Sequence, residues 1–60
     1  MFIIEEVHNF VRGAGAPVTA SWTAHVMGIY YHQAKKALDS LAAQGRVRVR
    51  RMGGRTLYSA

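Results

Sequence analysis

Sixty residues without a cysteine make one small domain, with no disulfide framework and no thiolate metal site. A chain of this length hides only about 60% of its unfolded surface on folding, which leaves little interior to wall off a substrate cavity. Half of the residues are apolar, too many for a disordered chain, and the formal net charge is +5.

The start, MFIIEE, sets two acids directly after four apolar residues and has neither a basic leader nor a long apolar run. It reads as structure rather than as a secretory signal or a membrane span. Residues 2–12 have helical spacing: Ile3, Val7 and Phe10 recur at i, i+4, i+7, and Ile4 and Val11 widen the stripe. Glu5 and Glu6 near one end and Arg12 near the other suit the helix dipole. Gly13 is the expected stop, because GAGAP (13–17) sustains neither a helix nor a central strand.

Val18 is too short to be a strand on its own. Thr19 is the expected N-cap of a second helix running to about Met27, its hydroxyl accepting a free N–H of the first turn. That helix puts Trp22 and Val26 on one face, read as core, with Thr23 and Met27 beside them. Gly28 breaks it, and Ile29 plugs a tight turn into the next helix. Two helices joined by a short glycine-containing turn form a helix-turn-helix motif.

Helical spacing returns from Tyr31 to Gln44, where Ala34, Leu38 and Leu41 form the apolar row and His32, Lys35, Lys36, Asp39 and Ser40 the polar face. Gly45 sits where a glycine beyond a helix C-terminus belongs. The period then changes to two. Val47 and Val49 alternate with Arg46, Arg48 and Arg50 as a half-buried strand, Gly53-Gly54 supplies a tight turn, and RTLYS returns with Leu57 or Tyr58 facing the core. The expected domain, 1–60, is mainly α with a small β-hairpin. Its core is expected at Val7, Phe10, Val26, Leu38 and Leu41.

Charge divides along the chain. Residues 1–30 carry two acids and one arginine, whereas residues 31–60 carry seven Lys or Arg against Asp39 alone. A basic half on a near-neutral half is the electrostatic footprint of a polyanion binder. The third helix offers Tyr31, His32, Gln33, Lys35 and Lys36 at its N-terminal end, where a helix in a major groove meets base edges. Gln pairs with adenine, and Lys reaches guanine acceptors or phosphates. The hairpin adds Arg46, Arg48, Arg50, Arg51 and Arg55, whose guanidinium forks match phosphate oxygens. Alternation puts Arg46, Arg48 and Arg50 on one side of the strand. Charge on an edge strand also discourages aggregation, but a hairpin that is all arginine with no acid favours phosphate or minor-groove contact.

Catalysis is not expected. The three acids include the adjacent Glu5 and Glu6, which point in different directions on a helix, and no Ser/His/Asp order stands out. His8, His25 and His32 form no metal-ligand spacing, and GAGAP and MGGR lack the strand-loop-helix context of a phosphate loop. Neither cofactor nor metal is expected.

Over nearly its whole length, VTASWTAHVMGIYYHQAKKALDSLAAQGRVRVRRMGGRTLYSA, the chain resembles bacterial winged helix-turn-helix transcriptional regulators. QAKKALDSLAAQGRV is similar to the recognition helix of that family and the start of its wing. The chain most resembles the small FaeA-like regulators of fimbrial operons. It departs from them at Thr23, where such helices usually carry Ile or Leu, and at Tyr30-Tyr31, which replace a small polar cap. The resemblance implies a winged helix of three helices and a two-stranded wing, sequence-specific double-stranded DNA as partner, and a cytoplasmic, nucleoid-associated location without a membrane. It also implies assistance to a larger regulator protein at a promoter. The alternative is a protein-interaction module that uses the same fold to dock on another regulator or on a second copy of itself.

Overall fold

Threonine and glycine set most of the element boundaries. The computed structural model describes residues 3–60. Helix α1 (Ile3–Ala14), helix α2 (Ala20–Met27) and helix α3 (Tyr31–Ala43) precede strands β1 (Arg48–Met52) and β2 (Arg55–Ser59). Phe2, assigned above to the first helix, lies outside the described residues. The Thr19 hydroxyl accepts from the Trp22 N–H at 3.0 Å and so caps α2. Gly28 ends α2 with a φ of 69°, in the left-handed region where glycine carries no steric penalty. Helix α1 runs past Gly13, the expected stop, and the chain turns at Gly15 with a φ of 71°.

Strands β1 and β2 pair antiparallel, with Arg48 opposite Ser59 and Met52 opposite Arg55. Gly53 and Gly54 form the two-residue loop, both at positive φ, as a turn matched to the twist of its strands requires. Val18 joins this sheet by a single bridge: its N–H donates to the Tyr58 carbonyl and its carbonyl accepts from the Tyr58 N–H, each at 2.8 Å. Three helices followed by a hairpin wing make a winged helix. Among the described residues, no helix is long and apolar enough to cross a membrane.

The core lies where α3 packs between α1 and α2, with β2 closing one side. Val7, Val11, Val18, Ala37, Leu38, Leu41, Val47 and Tyr58 are buried in it, and Ile3, Ile4, Phe10, Met27 and Ile29 pack around them. Two expected core residues are not there. Trp22 is 55% exposed and Val26 47% exposed. Helix α2 instead turns Ala20, Thr23 and Ala24 inward, small side chains that let its backbone approach α3 closely. Thr23 is fully buried, and its hydroxyl donates to the Thr19 carbonyl at 2.9 Å, so the polar group carries no desolvation debt.

The half-buried strand expected at 46–50 is also corrected. Val47 is buried but precedes β1, and every residue of β1, Val49 included, is exposed. β1 is the outer strand of a ribbon that has left the helical body, so no layer covers it.

Leu38 and Leu41 are completely buried, and replacing either with Ala is expected to cost about 2–5 kcal/mol. Trp22→Ala is expected to cost far less, because half of that side chain is already in water. Urea denaturation of the three variants checks both expectations.

Candidate nucleic-acid interface

Helix α3 has no side-chain N-cap in the usual sense, because Tyr30 at that position is too long to reach back to its own first turn. The Gln33 Oε1 accepts from the Tyr30 N–H at 3.1 Å and satisfies one of the free groups there. This holds Gln33 along the helix start, with a second lone pair on Oε1 and both Nε2 donors outside that bond. The Tyr30 ring is thereby left exposed and stacks on His32, with centroids 5.6 Å apart and planes 11° from parallel.

The outward face of α3 carries Tyr31, His32, Lys35, Lys36, Asp39, Ser40 and Ala43 along a shallow groove. This is the helical spacing of a face held off the core by Ala34, Ala37, Leu38 and Leu41 behind it. A second, wider cleft lies between the start of α2, the start of α3 and the hairpin turn, where Trp22, His25, Tyr31, Lys35, Arg55 and Thr56 meet. Of the residues that the sequence marks as binding, Tyr31, His32, Lys35 and Lys36 therefore share the α3 face, and Arg55 borders it.

Tyr58 links this face to the wing. Its ring is 1% exposed, while its hydroxyl donates to the Asp39 Oδ1 at 2.9 Å and accepts from the Lys35 Nζ at 3.1 Å. Lys35 also donates to both Asp39 carboxylate oxygens, at 3.1 and 3.2 Å. Burial pushes the Tyr58 phenol up. The Tyr58 hydroxyl and the Asp39 carboxylate together hold the Lys35 ammonium above its ordinary range. Partial burial raises the Asp39 carboxyl, but the bonds from Tyr58 and Lys35 outweigh it and keep the group below the usual carboxylate range.

Cross-strand partners share a face, so the register sorts the wing arginines. Arg48, Arg50 and Arg55 lie on one side with Leu57 and Ser59. Arg51 lies on the other, with Val49, Thr56 and Tyr58. Arg46, assigned by alternation to the side of Arg48 and Arg50, sits before β1 and turns to α1 instead. Its Nη1 donates to the Glu5 Oε2 at 2.8 Å and its Nη2 to the Glu5 Oε1 at 2.9 Å, while the His8 Nδ1 lies 2.9 Å from Nη2. The Arg46 guanidinium lowers the Glu5 carboxyl in turn. Among the described residues, Arg12, Lys36, Arg48, Arg50, Arg51 and Arg55 are exposed and enter no ion pair, whereas Lys35 and Arg46 are paired.

Sequence reading passed over Asp39 and Tyr58 as site residues and Glu5 as a partner. The i, i+4 spacing of Lys35 and Asp39 was the one signal present; nothing local marks the pairing of Glu5 and Arg46, which are 41 positions apart. Compared with known proteins, the chain matches no family model, no curated protein and no solved structure.

Glu5 and Asp39 both have lowered folded-state pKa values, so their contribution is present above the unfolded value and lost as pH falls through the folded one. Stability is therefore expected to drop as pH falls below about 4. Glu5→Gln is expected to flatten that acid limb. The urea midpoint measured between neutral pH and pH 3 tests this: an unchanged limb in the variant would remove Glu5 from the account.

Proposed function

We propose that this chain binds double-stranded DNA with sequence selectivity as a small bacterial transcriptional regulator, in the cytoplasm at the nucleoid. In this reading α3 enters the major groove and the wing lies on the sugar-phosphate backbone. The observation that carries it is where the exposed cations outside any ion pair are concentrated: of six among the described residues, one is Arg12 on α1, and five are Lys36 on the outward face of α3 and Arg48, Arg50, Arg51 and Arg55 on the wing. Their mutual repulsion gives the free fold no benefit, and phosphate oxygens supply the missing partner. The small aliphatic face that holds α3 against the body leaves its polar face clear for a groove one helix wide. The function is one of binding, not catalysis. The resemblance to FaeA-like regulators adds a larger regulator as partner at the same promoter.

A second reading, docking on another protein, draws on the exposed Trp22 and Val26, which lie one turn apart on the outer face of α2. A protein complex insensitive to salt, lost on Val26→Glu while duplex affinity is unchanged, is the outcome that favours it.

Titration of a labelled random duplex at several salt concentrations tests the first reading. Each arginine that neutralises a phosphate contributes close to one unit to the slope of log affinity against log salt. Arg48→Gln with Arg50→Gln is expected to lower the slope by about two units and to weaken all sequences alike. Arg46→Gln is expected to leave the slope unchanged, since that side chain is spent on Glu5. Wild-type affinity and slope in the double variant would take the wing off the DNA.

A further inference from the structure

Asp39 is an acid on the face offered to a polyanion, and its position asks for a reason. Its side chain is 54% exposed and that of Lys35 40% exposed, so neither is sealed into the fold. A carboxylate has about four lone-pair sites. Oδ1 accepts from Tyr58 and Lys35, and Oδ2 from Lys35, which leaves an acceptor on Oδ2. The two carboxylate contacts of Lys35 need only one shared N–H and Tyr58 takes a second, so an ammonium N–H is left as well. The outward face of α3 thus presents one acceptor and one donor, 3.1 Å apart and held by a buried tyrosine.

We propose that Lys35 and Asp39 act as one unit that reads a single G·C base pair in the major groove, Lys35 donating to guanine and Asp39 accepting from cytosine. The proposal rests on the duplex-binding reading and deepens it. In a G·C pair the guanine O6 and the cytosine N4 are bonded to each other, at roughly the 2.9 Å usual for N–H···O, so the pair offers an acceptor and a donor at a matching separation. The flanking groups decide against A·T. Beside O6 lies the guanine N7, a second acceptor for an ammonium, and beside N4 lies only a C–H. With an A·T pair the carboxylate on adenine N6 would meet the N7 acceptor, and the ammonium on thymine O4 would meet a methyl group. Asp39 is neutralised by Lys35 and therefore tolerates nearby phosphates. Tyr58, out of reach of the base, is a positioning residue.

Selection from a randomised duplex library by wild type, Asp39→Asn, Asp39→Ala and Tyr58→Phe tests this, with circular dichroism confirming the fold of each. Wild type is expected to fix cytosine, paired with guanine, at one position. Asp39→Ala loses discrimination there by about tenfold or more while other positions keep theirs. Asp39→Asn shifts that position toward adenine, whose N6 and N7 suit a carboxamide. Tyr58→Phe weakens the choice of cytosine without the shift to adenine. An Asp39→Ala variant that selects the same bases as wild type with the same strength overturns the proposal and returns Asp39 to a helix-surface ion pair. Wild type that binds duplex with a steep salt slope but selects no sequence overturns it and leaves duplex binding standing. Wild type without salt-dependent duplex binding overturns both.

Discussion

The wing is fastened to the helices through Tyr58. Its backbone exchanges two hydrogen bonds with Val18, its ring fills the core beside Val7, Leu38 and Leu41, and its hydroxyl emerges on the outward face of α3 between Lys35 and Asp39. One residue therefore extends the sheet through its backbone, and completes the core and orients two charges through its side chain. A small domain has few large buried side chains to spare, and here the largest of them belongs to the wing. An aromatic body with a polar tip suits that place, because the ring supplies buried apolar area while the hydroxyl finds partners at the rim.

The cations divide by task. Arg46 and Lys35 are held by Glu5 and by Asp39 with Tyr58, and they tie the wing base to α1 and the wing to α3. The remaining wing arginines stand on both faces of a ribbon that carries no acid. Exposed ion pairs contribute little to stability, so the first group matters for where it holds the chain rather than for how strongly. The second group serves the fold only by keeping an uncovered outer strand from pairing with a neighbour.

The order of elements was legible because its signals are local. Thr19, Gly28, Gly45 and the Gly53-Gly54 pair each act within a few residues of themselves, and the apolar row of α3 repeats cleanly. The inward face of α2 was misread because large apolar residues attract the assignment. Trp22 and Val26 obey the helical period, but so do Ala20, Thr23 and Ala24, and close packing against α3 selects the small set. Thr23 suits the same place, since it is small where α2 meets α3 and its hydroxyl bonds to the Thr19 carbonyl. At the candidate site, the sequence marked the α3 face and the wing arginines. Which arginine is occupied, and by what, depended on contacts such as Glu5 with Arg46 that have no local trace.

The wing's attachments also bear on the order in which the molecule assembles. The turn between α2 and α3 is closed by bonds between near neighbours, such as Ile29 to Ala24, and needs little loop closure. Lys35 and Tyr58 are 23 positions apart and Glu5 and Arg46 41, so these contacts wait until the helices have already met. The helical pair and the hairpin are each local, and the docking of the hairpin on the helices is the non-local step, expected to come late. Within the hairpin, β1 is exposed along its whole length whereas β2 carries the buried Tyr58, so opening β1 sacrifices little of the core, and its amides are expected to exchange before those of α3.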